Sequence, residues 1–113
     1  MTGCEFGDVL LVPFPFTDQS TAKRRPAVVV SSNAYHRERL DLIILAVTSQ
    51  ARPETPLGEA PVTKWKEAGL LRPSVLKPVL ATIERSLVVR KLGRLADEDR
   101  AALRRVPDEI LGA

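Results

Sequence analysis

The sequence predicts a small, strongly bent antiparallel β-sheet, closed as a barrel or a sandwich, with a helix at its C-terminal end. Short apolar runs, rich in β-branched residues over most of their length, recur at Val9–Val12, Ala27–Val30 and Leu42–Val47; such runs fit a pleated, half-buried surface. The segments between them are polar or proline-rich, which marks turns and loops. No long helical pattern separates consecutive strands, so a parallel α/β sheet is disfavoured.

Taken in order, Gly7-Asp8 precedes the first run, which ends at Pro13-Phe14-Pro15-Phe16. Two alternate prolines there remove ladder donors. Residues 17–23 are polar and read as a loop. Pro26 is expected to open the second strand, since a proline fits poorly in a strand's middle. Ser31-Ser32-Asn33 offers capping side chains for a short helix through Tyr35, His36 and Arg39. The third strand, Leu42–Val47, is closed by Thr48-Ser49-Gln50. Residues 51–61 hold three prolines and a glycine and read as loop. Lys64–Leu71 is expected to form a helical turn or two ending near Gly69, with Trp65 packed on the barrel surface. Pro73–Glu84 reads as a strand irregular at Pro78, and Leu87–Leu95 as another. Asp97-Glu98-Asp99 places three acids where a helix macrodipole favours them. Leu103, Val106 and Ile110 then share one face, and Pro107 is expected to break or kink that helix.

Size and composition bound the function. At 113 residues the chain is read as one domain, 1–113. Aromatic residues make up 4%, too few for the multi-ring stacking platforms of many single-strand binders. The lone Cys4 excludes an internal disulfide and no Cys/His spacing fits zinc, which favours a reducing cytoplasm and no metal. No apolar run approaches membrane-spanning length and the N-terminus does not read as a signal peptide. Net charge is +3, unevenly spread. Residues 1–56 balance six Lys/Arg against six Asp/Glu, while residues 64–94 carry eight against two. A cluster of that kind is an electrostatic footprint for nucleic acid, although it also fits plain soluble surface.

Chemistry concentrates at Lys23-Arg24-Arg25-Pro26, where three cations run into an apolar strand. A residue before proline is pushed to extended backbone, so Arg25 leaves the chain in a fixed direction. Thr48 and Ser49 place hydroxyls at the end of the third strand. For proton transfer the sequence offers His36, Glu84 and Asp18, none favoured by position.

These pieces together resemble the MazF/PemK family of toxins from type II toxin-antitoxin modules. The resemblance rests on Gly7-Asp8-Val9, Arg24-Arg25-Pro26-Ala27-Val28-Val29-Val30-Ser31, Thr48-Ser49, and Gly93-Arg94-Leu95 with Asp97-Glu98. It implies a mainly β (α+β) fold: an SH3-like small barrel of about five to seven antiparallel strands plus a C-terminal helix, usually as a homodimer. It also implies cofactor-free, metal-independent cleavage of single-stranded RNA to 2′,3′-cyclic phosphate and 5′-hydroxyl ends, and a cognate antitoxin partner. By the same resemblance Arg25 and Thr48 are catalytic; Lys23 and Arg24 are read as steering and backbone contacts to RNA, Ser49 and Thr82 as further RNA contacts, and Lys77 as a substitute phosphate-facing charge. The chain departs from the family pattern at Leu76–Ala81, where many relatives carry an arginine and an acidic residue or glutamine. Two alternatives therefore stand beside it: a non-enzymatic toxin binding a protein target such as gyrase, and a catalytically weakened RNA-binding member.

Overall fold

The computed structural model describes residues 4–14, 23–50 and 54–112. Among these residues six strands form one antiparallel sheet: β1 (Asp8–Pro13), β2 (Arg24–Val29), β3 (Asp41–Ser49), β4 (Ala60–Pro61), β5 (Ser74–Glu84) and β6 (Arg90–Arg94). Their order across the sheet is β4-β5-β3-β2-β1-β6, and the sheet curls into a half-barrel. A short helix α1 (Asn33–Glu38) links β2 to β3, and α2 (Asp97–Ile110) ends the chain. Ser32 caps α1 by accepting from the Tyr35 amide. Among the described residues no helix is long and apolar enough to cross a membrane.

Alternation along each strand splits the core between two faces, because successive side chains point to opposite sides. Val9, Val28, Leu45 and Val47 join Leu95, Leu103 and Val106 beneath α2. Leu10, Val12, Ala27, Val29, Ile44 and Ala46 build a second cluster with Phe14 and Ile83. Both faces of β2 and β3 are therefore covered, which is why those strands read as unbroken apolar runs instead of alternating ones.

The irregularity expected at Pro78 is a bulge. Leu45 pairs with Leu80 and Val47 with Leu76, so Ala46 faces three residues of β5 centred on Pro78. Such an insertion bends a strand, and it lets the 11-residue β5 follow the curl of the sheet.

Four expectations are corrected. Pro26 is the third of six residues in β2 and lies opposite Leu11; it is tolerated because the β3 ladder begins only at Ala27, leaving one paired side at the proline. The third strand runs past Val47, with Thr48 and Ser49 as its last two residues, paired with Val75 and Ser74. Leu87–Val89 lies outside β6, since a 3₁₀ turn at Arg85–Leu87 intervenes. Finally α2 runs through Pro107 to Ile110. The proline falls in the last turn, where it removes only one helix bond, and Val106 and Ile110 pack on either side of it.

Residues 63–69 form a turn and not a regular helix. The Leu70 amide donates to the Trp65 carbonyl and the Gly69 amide to that of Lys66, with Gly69 at φ +86°. This bond pair with a left-handed glycine is a Schellman closure, so one turn is all that forms. Trp65 packs partly buried against the core beneath α2.

Candidate nucleic-acid interface and active site

Arg25 and Thr48 reach one place from neighbouring strands. The β2–β3 register pairs Ala27 with Ala46, Val28 with Leu45 and Val29 with Ile44; carried two residues further it sets Arg25 opposite Thr48. Both line a cavity of about 450 Å³. Its apolar floor includes Leu11, Pro26 and Val47, and its polar groups include Ser49, Arg72 and Arg90.

Each cation is aimed by the backbone. Arg25 is half-buried on β2 opposite Val12. Arg90 opens β6 opposite Leu11, which on its other side faces Pro26; two strand spacings thus separate Pro26 from Arg90, roughly 10 Å. Arg72 follows the 63–69 turn, and the Ser74 hydroxyl donates to its carbonyl at 2.8 Å. The described lining residues include three arginines and no carboxylate, which gives this lining a strongly positive field. Thr48 Oγ1 is buried and has no hydrogen-bond partner among the described residues. A hydroxyl left so in a basic cavity is poised to donate to an incoming oxygen.

The other sequence-derived candidates divide. Ser49 lines the cavity, and with Thr48 it also borders a neighbouring hollow that contains Lys77 and Glu59. Lys77 Nζ lies 2.9 Å from Glu59 Oε2, so its charge is held by that carboxylate and not presented beside Arg25. Thr82 is exposed and opposite Ile43, five residues along β3 from Thr48, and does not reach the cavity. Lys23 and Arg24 are exposed just ahead of Arg25 and do not line it.

His36 lies on α1 away from the cavity, its Nε2 2.6 Å from Ser31 Oγ. Ser31 Oγ also accepts from the Ile43 amide at 3.1 Å. Burial, reinforced by the Arg85 guanidinium, lowers the His36 pKa from its ordinary value, against the opposing pull of Asp8 and Glu5. Glu84 pairs with Asp41 at the far end of β5, and Asp18 lies outside the described residues. Among the described residues no three His, Cys, Asp or Glu side chains come together as a metal-holding group.

Arg72 and Arg90 were not singled out from the sequence. Arg72 carried a usable signal: it precedes Pro73 as Arg25 precedes Pro26, with the same extended restriction. Arg90 carried none, since only the pairing of β6 with β1 brings it to Leu11.

The fold is thus a curled antiparallel half-barrel with one terminal helix, carrying a basic, hydroxyl-bearing cavity. The sequence profile of the PemK-like, MazF-like toxins of type II toxin-antitoxin systems matches residues 5–111. The chain therefore belongs to the PemK/MazF family of type II toxin-antitoxin toxins.

Solved structures agree on the fold. The Mycobacterium tuberculosis toxin MazF-mt6 superposes with a TM-score of 0.71 at 19% identity, over 90% of this chain and 94% of that one. An endoribonuclease from a mycobacterial species, in complex with its cognate antitoxin, gives 0.67 at 17% over 93% and 87%. MazE-MazF from Deinococcus radiodurans gives 0.66 at 25% over 96% and 95%. A search of curated proteins finds no significant match.

Proposed function

We propose that this toxin is an endoribonuclease that cleaves single-stranded RNA at the Arg25–Thr48 cavity. The observation that carries this reading is the unsatisfied Thr48 Oγ1 in a cavity that also holds the Arg25 guanidinium. Attack of a ribose 2′-oxygen on the adjacent phosphorus builds negative charge on the nonbridging oxygens. A planar, permanently charged guanidinium binds two such oxygens at once, and the Thr48 hydroxyl adds a third donor. Donors fixed on strand ends need no reorganisation as the charge develops, and removing one such donor typically costs ~10²–10³ in rate.

Arg72 and Arg90 hold the phosphates to either side. No histidine or carboxylate is among the described lining residues, so the protein's part is charge stabilisation and alignment, and the 2′-proton passes to water. The 5′-oxygen leaves as the 2′-oxygen bonds and takes a proton from water, which gives a 2′,3′-cyclic phosphate and a 5′-hydroxyl.

Incubation of the purified chain with mixed single-stranded RNA in EDTA is expected to give discrete fragments with those ends. Intact RNA beside an active relative would overturn the proposal, and trapped DNA breaks in arrested cells with intact RNA would identify a protein-directed toxin instead. The reading extends to a cognate antitoxin that closes the basic cavity, supported by the neighbours described with MazE or a cognate antitoxin. It also takes residues 1–113 as one domain that acts in the cytoplasm as a homodimer.

A further inference from the structure

One wall of the cavity comes from a segment outside the ladders, joined to the sheet just past Arg72, where the Pro73 carbonyl accepts from the Gln50 amide at 2.9 Å. Leu70, Leu71 and Arg72 line it, and they follow directly on the 63–69 turn, which has no ladder partner. The turn is fixed at its two ends by different devices. At its start stands Asp99, in the first turn of α2 and only 2% exposed. Its Oδ1 accepts from the Thr63 amide at 2.9 Å and from the Thr63 hydroxyl at 2.8 Å, a donor shared with Glu98 Oε2 at 2.9 Å, and its Oδ2 accepts from the Lys64 amide at 2.9 Å. A carboxylate buried so deeply is stable only when its oxygens are satisfied, and the turn supplies three donors. At the other end a Cβ on Gly69 would collide with the Leu92 carbonyl, and one on Gly93 with that of Ala68. Turn and β6 therefore meet backbone to backbone.

We infer that Asp99 is a positioning residue: by holding Thr63 and Lys64 it sets the turn so that Arg72 and Leu70 face Arg25 across the cavity. This rests on the RNA reading of that cavity. Arg25 and Thr48 lie on β2 and β3 and are untouched by the clamp, so its loss weakens RNA binding while the chemical step keeps its rate.

The test compares Asp99→Asn and Asp99→Ala in the full chain. Three readouts are taken: cleavage kinetics on single-stranded RNA, affinity for a 2′-deoxy oligonucleotide that cannot be cleaved, and emission of Trp65. That residue is the sole tryptophan and lies within the turn. Asn retains an acceptor for Thr63 but turns an N–H₂ toward the Lys64 amide, so graded effects are expected. KM and the oligonucleotide Kd rise roughly threefold in Asp99→Asn and tenfold in Asp99→Ala, kcat stays within about twofold, and Trp65 emission shifts red with greater acrylamide quenching.

Unchanged Trp65 emission and KM in a folded Asp99→Ala would overturn the inference. So would a fall in kcat alone that tracks the lost folded fraction. If Asp99→Ala does not fold, Thr63→Val, which removes one donor and keeps the amide, takes its place with the Asp99→Asn outcome expected. Should the parent bind the oligonucleotide without cleaving RNA, the proposed activity fails while the Kd and Trp65 responses still decide the role of Asp99. A parent that neither binds nor cleaves overturns both.

Discussion

The two walls of the cavity are held in place by different means. Arg25 and Thr48 stand on strands whose main chains are laddered to β1 and β5, opposite Val12 and Val75. Arg72 stands on a segment tethered through a buried carboxylate and a glycine contact, and Arg90 on the edge strand β6. A ladder fixes position through many bonds at once, whereas the segment ahead of Arg72 depends on a few local contacts. Preorganised charge stabilisation is therefore expected from the strand wall, and adjustable binding from the tethered one.

The largest test of that division is Arg25→Ala. It removes the cation that β2 contributes to the cavity and is expected to lower kcat by ~10³, near the upper range for one transition-state donor. Far-ultraviolet circular dichroism and the melting temperature should stay close to the parent's, because Arg25 is half-buried at the strand's beginning and outside both core clusters. An Arg25→Ala chain as active as the parent would dissolve the distinction between the walls.

Thr48→Ala is expected to cost less, ~10² in kcat, since a neutral donor is weaker than a charged one. Thr48→Ser keeps the hydroxyl and should recover most of the rate. Equal losses in Ala and Ser would mean that Thr48 acts through its methyl packing and not through Oγ1.

Across the cavity from Arg25, Arg72→Ala and Arg90→Ala are expected to raise Kd for single-stranded RNA roughly three- to tenfold with kcat little changed. Each should also reduce the slope of log K against log salt by ~0.7, one phosphate contact on a single strand. A salt slope equal to the parent's would remove these arginines from the RNA path.

The strand wall was legible in the sequence because its signals are local. Arg25 announces itself by standing between two cations and a proline, and Thr48 by ending an apolar run. The six-stranded fold was legible for the same reason, apart from the two-residue β4, too short to leave a pattern. Arg90 was hidden because its place depends on β6 crossing to pair with β1, some eighty residues away in sequence. The partner of Lys77 was hidden for a related cause: Glu59 comes beside it only as β4 pairs with β5. The role of Asp99 was masked by a valid local reading. Three acids at a helix start satisfy the macrodipole, and nothing in the sequence shows that one of them is turned inward to Thr63.

The smallest expected effect concerns His36, which belongs to neither wall. Its Nε2 meets Ser31 Oγ, and its pKa is depressed by burial and by Arg85. A depressed folded-state pKa means that the unfolded chain takes up the proton first as pH falls. The stability tied to neutral His36 is thus complete above the unfolded value near 6.5 and is lost as pH drops from there toward the folded value. His36→Gln should flatten this part of the stability profile, measured by urea unfolding between about pH 8 and pH 5. Cleavage at pH 7.5, roughly a unit above the ordinary histidine pKa, should remain within about twofold of the parent's. A loss of ~10² or more would instead make His36 the general base and overturn the assignment of the 2′-proton to water.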